Sequence, residues 1–218
     1  MIPLRDVIPS RTVPYLTVSI IVLNALAWFY ELGLPREDLP VFLRQYGVVP
    51  AYFALPTLIS SMFLHGSWSH VLGNMWYLWI FGDNVEDRMG HFRFLIFYLL
   101  CGIVAALGQI FIDPTSTLPT IGASGAIAGV MGAYFVLYPQ SRVLTLIPLI
   151  VFWEIVELPA IFLLGFWFLM QLFSAGAIAV TANSHAGGVA FMAHVAGFIF
   201  GLVTVFIFRK REPDTRWV

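Results

Sequence analysis

The sequence predicts an all-α membrane protein, a bundle of six transmembrane helices in a single domain spanning residues 1–218. Three observations predict it. Of the 218 residues 60% are hydrophobic and only 11% charged, whereas a soluble domain carries about a quarter charged residues. Six apolar segments approach or reach the roughly 20 residues that cross a bilayer. The basic residues fall unequally on the two sides that those segments define. The formal net charge of -1 argues against a nucleic-acid partner, which needs a basic face. The single cysteine, Cys101, allows no internal disulfide and no cysteine-based metal site.

Helix one is expected over residues 14–31. Its apolar run is long enough to span and is read as retained, although Ala25-Leu26-Ala27 also suits a cleaved signal peptide. Residues 32–57 mix prolines and charges with Phe42, Tyr46, Tyr52 and Phe53, as suits a segment lying in the membrane interface. Helix two is placed at 58–82 and ends in a solvated turn of Asp83, Asn84, Glu86, Asp87 and Arg88. His91 is placed in the same solvated stretch. Helix three covers 92–112, stopped by Asp113-Pro114, and helix four covers 122–138, stopped by Pro139. Residues 144–153 are apolar but too short to span, and are read as interfacial. Helix five covers 158–176 and helix six covers 189–208, closed by Arg209-Lys210-Arg211. The small, uncharged stretch 177–188, with His185, joins them.

Six helices put both termini on one side. Arg5, Arg11, Arg88, Arg93, Arg142, Arg209, Lys210, Arg211 and Arg216 share that side, and Arg36 and Arg44 alone face the other. By the positive-inside rule both termini, as short tails, are cytoplasmic. The expectation is a multi-pass protein of a prokaryotic cell membrane with the lipid bilayer as its first partner.

The polar residues carry the chemistry. Gly122-Ala123-Ser124-Gly125 opens helix four, and Ala193-His194-Val195-Ala196-Gly197 opens helix six. A serine is a poor nucleophile unless a base lies within hydrogen-bond reach. Ser124 stands fifteen residues before Pro139 and His194 fifteen before Arg209, so each lies about 22 Å from the cytoplasmic end of its helix. His70 and Asn74, four residues apart on one face of helix two, lie at about 20 and 14 Å. Groups at such depth are costly and face a bundle interior or a water-filled cavity. Gly125, Gly129 and Gly132 mark one stripe and Gly197 and Gly201 another, at the spacing that lets helices touch backbone to backbone. If the stripes face each other, Ser124 and His194 meet. His65 sits one level higher and is read as structural. A zinc site built from His65, His70, His185 and His194 is the competing use. It lacks a His-Glu-x-x-His motif and, on this helix assignment, any carboxylate in the outer half of a helix, so no metal and no other cofactor is expected.

As a set these residues resemble the rhomboid family of intramembrane serine proteases, over about residues 57–201. Gly122-Ala123-Ser124-Gly125 is similar to its Gly-x-Ser-Gly nucleophile motif, and Ala193-His194-Val195-Ala196-Gly197 with Gly201 to its Ala-His-x-x-Gly-x-x-x-Gly base motif. The stretch from His65 through His70 to Asn74 resembles the second-helix signature, and Gly82 to Gly90 the Gly-x-x-x-Glu-x-x-x-Gly turn. The resemblance implies a Ser124–His194 dyad that cleaves transmembrane protein substrates. It implies an oxyanion site formed by the Ser124 amide with His70 and Asn74, and structural roles for Gly122, Gly125, Gly129, Gly197 and Gly201. It further implies a movable cap at 177–188 and a substrate route past helix five at Phe166, Trp167 and Phe168. Two departures stand out. Some members carry a tyrosine four residues after the nucleophile, stacked on the base. Here that position is Ala128, which leaves open what orients His194. The first-loop Trp-Arg pair of many members is missing. Glu154 and Glu157 lie on the cytoplasmic side, so no acidic third member is available. The alternative class is a non-catalytic scaffold that binds transmembrane helices. A transporter would show an inverted repeat, which the sequence lacks.

Overall fold

The computed structural model describes residues 1–148, 153–181 and 190–210. It is mostly helical: α1 (Tyr15–Gly33), α2 (Leu39–Tyr46), α3 (Thr57–Ser60), α4 (Trp68–Met89), α5 (His91–Ile112), α6 (Ser124–Leu137), α7 (Ala160–Thr181) and α8 (Phe191–Phe208). Three strands, β1 (Ile2–Asp6), β2 (Arg142–Pro148) and β3 (Trp153–Pro159), form one antiparallel sheet in the order β1-β2-β3. Among the described residues, four helical segments are long and apolar enough to cross a membrane: Tyr15–Gly33, His91–Ile112, Ala160–Ala177 and Phe191–Phe208. The chain is an integral, multi-pass membrane protein.

Helix α6 is the axis of the bundle. It packs against α4, α5, α7 and α8, and every residue from Gly125 to Tyr134 is buried. Lipid is as apolar as a leucine side chain, so helices associate in it through close packing rather than a hydrophobic drive. Glycine and alanine supply that closeness. A Cβ on Gly197 would stand 2.1 Å from the carbonyl oxygen of Gly125, and one on Gly201 would stand 2.0 Å from that of Gly129. The two stripes therefore cross, α8 lying on the backbone of α6. The spaces beside Gly125 and Gly129 themselves are filled from α5, by Ala105 and Cys101. It is Gly132 whose missing side chain admits the Phe198 carbonyl of α8.

Several expected boundaries are corrected. Residues 57–63 form α3 and a single 3-10 turn, and α4 begins only at Trp68, where Ser67 caps it by accepting the His70 amide at 3.2 Å. At its other end α4 continues through residues 83–88, which are helical and not a solvated turn. Glu86 is buried there because it caps α1: its carboxylate accepts the Leu16 and Thr17 amides at 3.0 and 2.8 Å and the Thr17 hydroxyl at 2.7 Å. His91 begins α5 with Nδ1 2.5 Å from Glu86 Oε1. Gly90, at φ 77°, makes the turn between α4 and α5.

The run at 144–153, read as too short to span, forms β-structure where it is described. Its described part belongs to the hairpin β2–β3, whose register runs from Arg142↔Pro159 to Pro148↔Trp153. The hairpin pairs the facing edges of β2 and β3, and β1 pairs the other edge of β2. Leu158 and Pro159 close β3, so α7 begins at Ala160. β1 pairs with β2, and the chain after it reaches α4. Asp87 accepts the Arg11 and Thr12 amides at 2.6 and 3.0 Å, and Ser10 donates to Asp83. The Lys210 amide donates to the Arg88 carbonyl at 2.7 Å. Residues 10–12 and 210 thus share the end of α4 opposite Ser124, while the start of β1 runs back along the bundle, where the Pro3 carbonyl accepts from Trp76.

Candidate active site

The site starts from a clamp on the chain before α6. The Val48 amide donates to Thr120 and the Thr120 amide to Val48, at 3.0 and 2.7 Å, and the Ala51 amide donates to Ser116 at 3.0 Å. The Gly122 amide donates to the Ser61 carbonyl at 2.8 Å. Residues 48–61 therefore fix the turn into α6; the sequence places those up to 57 in the interface and 58–61 at the start of helix two. Gly122 takes φ 118°, a conformation that side-chain-bearing residues rarely adopt, and a Cβ there would stand 2.6 Å from Nε2 of His70.

The turn makes Ser124 the first residue of α6. The leading amides of a helix have no partner within it. Ser124 Oγ lies 2.7 Å from Nε2 of His194, which is 8% exposed and projects from the first turn of α8. The other ring nitrogen, Nδ1, lies 2.8 Å from Oε1 of Gln171 on α7. Trp167, one turn before Gln171, sets its ring 5.8 Å from the imidazole at 36°, and Phe191 meets it edge-on at 6.4 Å.

His70 and Asn74 approach the same turn from α4. The Gly66 amide lies 3.5 Å from His70 Nδ1, which directs Nε2 toward Gly122. Asn74 is buried, its Nδ2 3.0 Å from Nε2 of His65 and 3.6 Å from the Gly122 Cβ position. His65 is itself 1% exposed, and its backbone amide lies 3.2 and 3.3 Å from the two carboxylate oxygens of Glu31. A buried carboxylate does therefore stand near the histidines, at the end of α1. The sequence assignment, which found none in the outer half of a helix, is corrected on this point. The described residues hold no group of three or more His, Cys, Asp or Glu placed to take a metal ion.

The structure thus gathers Ser124, His194, His70, Asn74 and Gly122 at one point, with Gly125, Gly129, Gly197 and Gly201 in the α6–α8 contact beneath. Sequence reasoning missed Gln171 and Glu31. The only signal for Gln171 is a lone amide in an otherwise apolar stretch of α7. The expected cap at 177–188, with His185, falls mostly on residues 182–189, outside the described residues. Among the described residues, Tyr77 of α4, Leu163, Leu164, Phe166, Trp167 and Met170 of α7, and Met1 line a crevice beside α7.

Comparison with known proteins places the chain. Residues 53–211 match the family model described as the rhomboid domain. The chain belongs to the rhomboid family. It is 28% identical to rhomboid-like protein 11, chloroplastic, of Arabidopsis thaliana over 198 residues, covering 86% of this chain and 66% of that protein. It is 32% identical to presenilin-associated rhomboid-like protein A, mitochondrial, of Danio rerio, over 73% of this chain and 40% of that one. It is 30% identical to the putative rhomboid protease YdcA of Bacillus subtilis, over 57% of this chain and 62% of that one. The match spans less than two thirds of the length of each of these rhomboid relatives.

Proposed function

We propose that this rhomboid is an intramembrane serine endopeptidase that cleaves peptide bonds in or near the transmembrane segments of membrane-anchored proteins. The observation that carries the reading is the 2.7 Å approach of Ser124 Oγ to His194 Nε2 inside an apolar bundle. Ser124 attacks the scissile carbonyl while His194 takes the hydroxyl proton. His194 then returns that proton to the departing amine, and a water activated by the same imidazole releases the acyl group from Ser124. The carbonyl oxygen becomes an oxyanion that accepts hydrogen bonds from the Ser124 amide, His70 and Asn74. The N-terminal end of α6 adds its positive dipole to that site.

In this reading α1, α4, α5, α6, α7 and α8 are the six spans of a single domain, and a water-filled cavity opens to the outer side. Both termini are cytoplasmic, in a prokaryotic cell membrane. The substrate helix enters from lipid by the crevice beside α7, past Phe166 and Trp167. No metal or cofactor takes part.

The test is cleavage of a panel of membrane-anchored model helices, together with labelling by a serine-reactive fluorophosphonate. The wild type should cleave and label. Ser124→Ala and His194→Ala should do neither while remaining folded and inserted. A wild type that binds the helices but neither cleaves nor labels would establish the alternative, a non-catalytic scaffold for transmembrane helices.

A further inference from the structure

We propose that Gln171 is the positioning residue of the catalytic base: it holds His194 in the tautomer that leaves Nε2 free to take the proton of Ser124. The inference rests on the dyad reading above and supplies what that reading leaves open, since position 128 is an alanine and carries no ring to stack on the histidine.

A neutral imidazole carries one N–H, and only its bare nitrogen can act as a base. Both nitrogens of His194 are engaged, Nε2 with Ser124 Oγ at 2.7 Å and Nδ1 with Gln171 Oε1 at 2.8 Å. An amide oxygen only accepts, so the proton resides on Nδ1 and the lone pair of Nε2 faces the serine hydroxyl. Without that acceptor the proton divides between the two nitrogens, and the form protonated on Nε2 cannot accept from Ser124. The same bond fixes the ring in space. Trp167 and Gln171 are four residues apart and share a face of α7, and both meet the imidazole, one with its ring and one with its amide. His194 is thus held by two successive turns of one helix.

The choice of amide follows from the surroundings. From Phe162 to Phe173 every other residue of α7 is apolar or glycine. An ionised carboxylate in Gln171's place would be a half-buried charge on an apolar helix without a permanent partner, since the imidazole is charged only during turnover. A neutral acceptor selects the tautomer without adding that charge. The other titratable group that bears on His194 among the described residues is His70 of α4, itself a histidine.

The experiment compares Gln171→Met, which keeps the length of the side chain and removes the acceptor, with Gln171→Glu, which keeps an acceptor and adds charge. Both are purified in detergent and screened for wild-type melting. For Gln171→Met, kcat for a membrane-anchored model helix and the rate of fluorophosphonate labelling should both fall, on the order of tenfold or more, with KM unchanged. For Gln171→Glu, activity should persist, and the acid limb of the kcat/KM profile should move to higher pH, because a carboxylate favours the imidazolium. Wild-type kcat in a folded Gln171→Met overturns the proposal. So does a Gln171→Glu enzyme whose acid limb coincides with the wild type, because a residue that only packs would not move that limb. If Gln171→Met does not fold, the Gln171→Glu profile alone decides. If the wild type itself neither labels nor cleaves, the dyad reading fails and this proposal with it. A wild type that labels beside variants that match it leaves the dyad standing without Gln171.

Discussion

The carbonyl oxygen of Gly125 occupies the space where Gly197 would carry a side chain, 2.1 Å from that Cβ position. The contact lies one residue from Ser124 on α6 and three from His194 on α8, so it sets the distance between them. Even Gly197→Ala must push the two helices apart, because the obstacle is backbone and cannot swing aside. Overpacking of this kind costs about 1–3 kcal/mol. Gly197→Ala should therefore lower the melting temperature and slow fluorophosphonate labelling together. Gly73→Ala on α4 is the matched control, since a Cβ there meets nothing within 4 Å. It should be neutral, or stabilising by up to about 1 kcal/mol through helix propensity.

Glu86 joins three elements with one carboxylate. It accepts two backbone amides and a hydroxyl from the first turn of α1 and meets His91 at the start of α5. Hydrogen bonds to a charged group are worth about 1.5–3 kcal/mol. Glu86→Gln keeps the shape but loses the charge and one acceptor, so its melting temperature should fall, and that of Glu86→Ala further. The site is at the opposite end of α4, so protein that remains folded should label at the wild-type rate. A drop in labelling without a drop in melting would mean that Glu86 acts on the site and not on the docking of α1.

How much of this is legible in the sequence depends on what the signal is. The long apolar segments announce α1, α5, α7 and α8 by length alone. The pairing of Ser124 with His194 follows from two glycine-marked helices that place them at equal depth. The chemistry of that pair is what the labelling experiment decides. The hairpin is harder to see. Val143 and Thr145 are fully buried beside half-buried Leu144 and Leu146, a period of two that is easily lost in a chain where apolar runs are judged by span. Residues 83–88 look like a loop because they are charged. They form helix because Glu86 and Asp87 take up backbone amides from residues 11–17, partners far away in sequence. Gln171 is hidden for the same reason: a single amide on an apolar helix does not say which neighbour it faces.

The N-terminal strand should respond to pH. Burial, with the nearby charge of Asp83 adding to it, pushes Asp6 from the usual carboxylate range up to about 6, although the Tyr134 hydroxyl donates to it at 2.7 Å. A carboxyl whose pKa is higher folded than unfolded binds its proton more tightly in the docked state. The stabilisation is complete below about 4, the ordinary value, and is lost as pH rises through about 6. Docking of β1 should therefore be firmer at pH 5 than at pH 8. Trp76 reports it, since its indole N–H donates to the Pro3 carbonyl at 2.6 Å. Asp6→Asn keeps an acceptor for Tyr134 and removes the titration. Its Trp76 fluorescence and its resistance to proteolysis near the N-terminus should be flat between pH 5 and 8, while the wild type declines. A flat wild type would show that Asp6 ionises without cost where it stands.

Asn74 separates the oxyanion reading from a purely structural one. One of its amide hydrogens is engaged by His65 at 3.0 Å, which leaves the second to point at the turn of Gly122. If that hydrogen bonds the oxyanion only as charge develops, Asn74→Ala should lower kcat with little change in KM. Loss of one such donor costs about 10²–10³ in rate in soluble serine proteases. Here His70 and the Ser124 amide remain, so a loss on the order of tenfold is expected. Labelling by a fluorophosphonate should slow in step, because its phosphonyl oxygen occupies the same place. Asn74→Asp should slow both reactions more, since a carboxylate repels the oxyanion. His65→Ala removes the partner that orients Asn74 and leaves the amide in place, so it should weaken the effect of Asn74 without abolishing it. In the double variant the two losses should not add. If Asn74→Ala cleaves and labels at wild-type rates, its amide serves only to hold His65, and His70 with the Ser124 amide must carry the oxyanion alone.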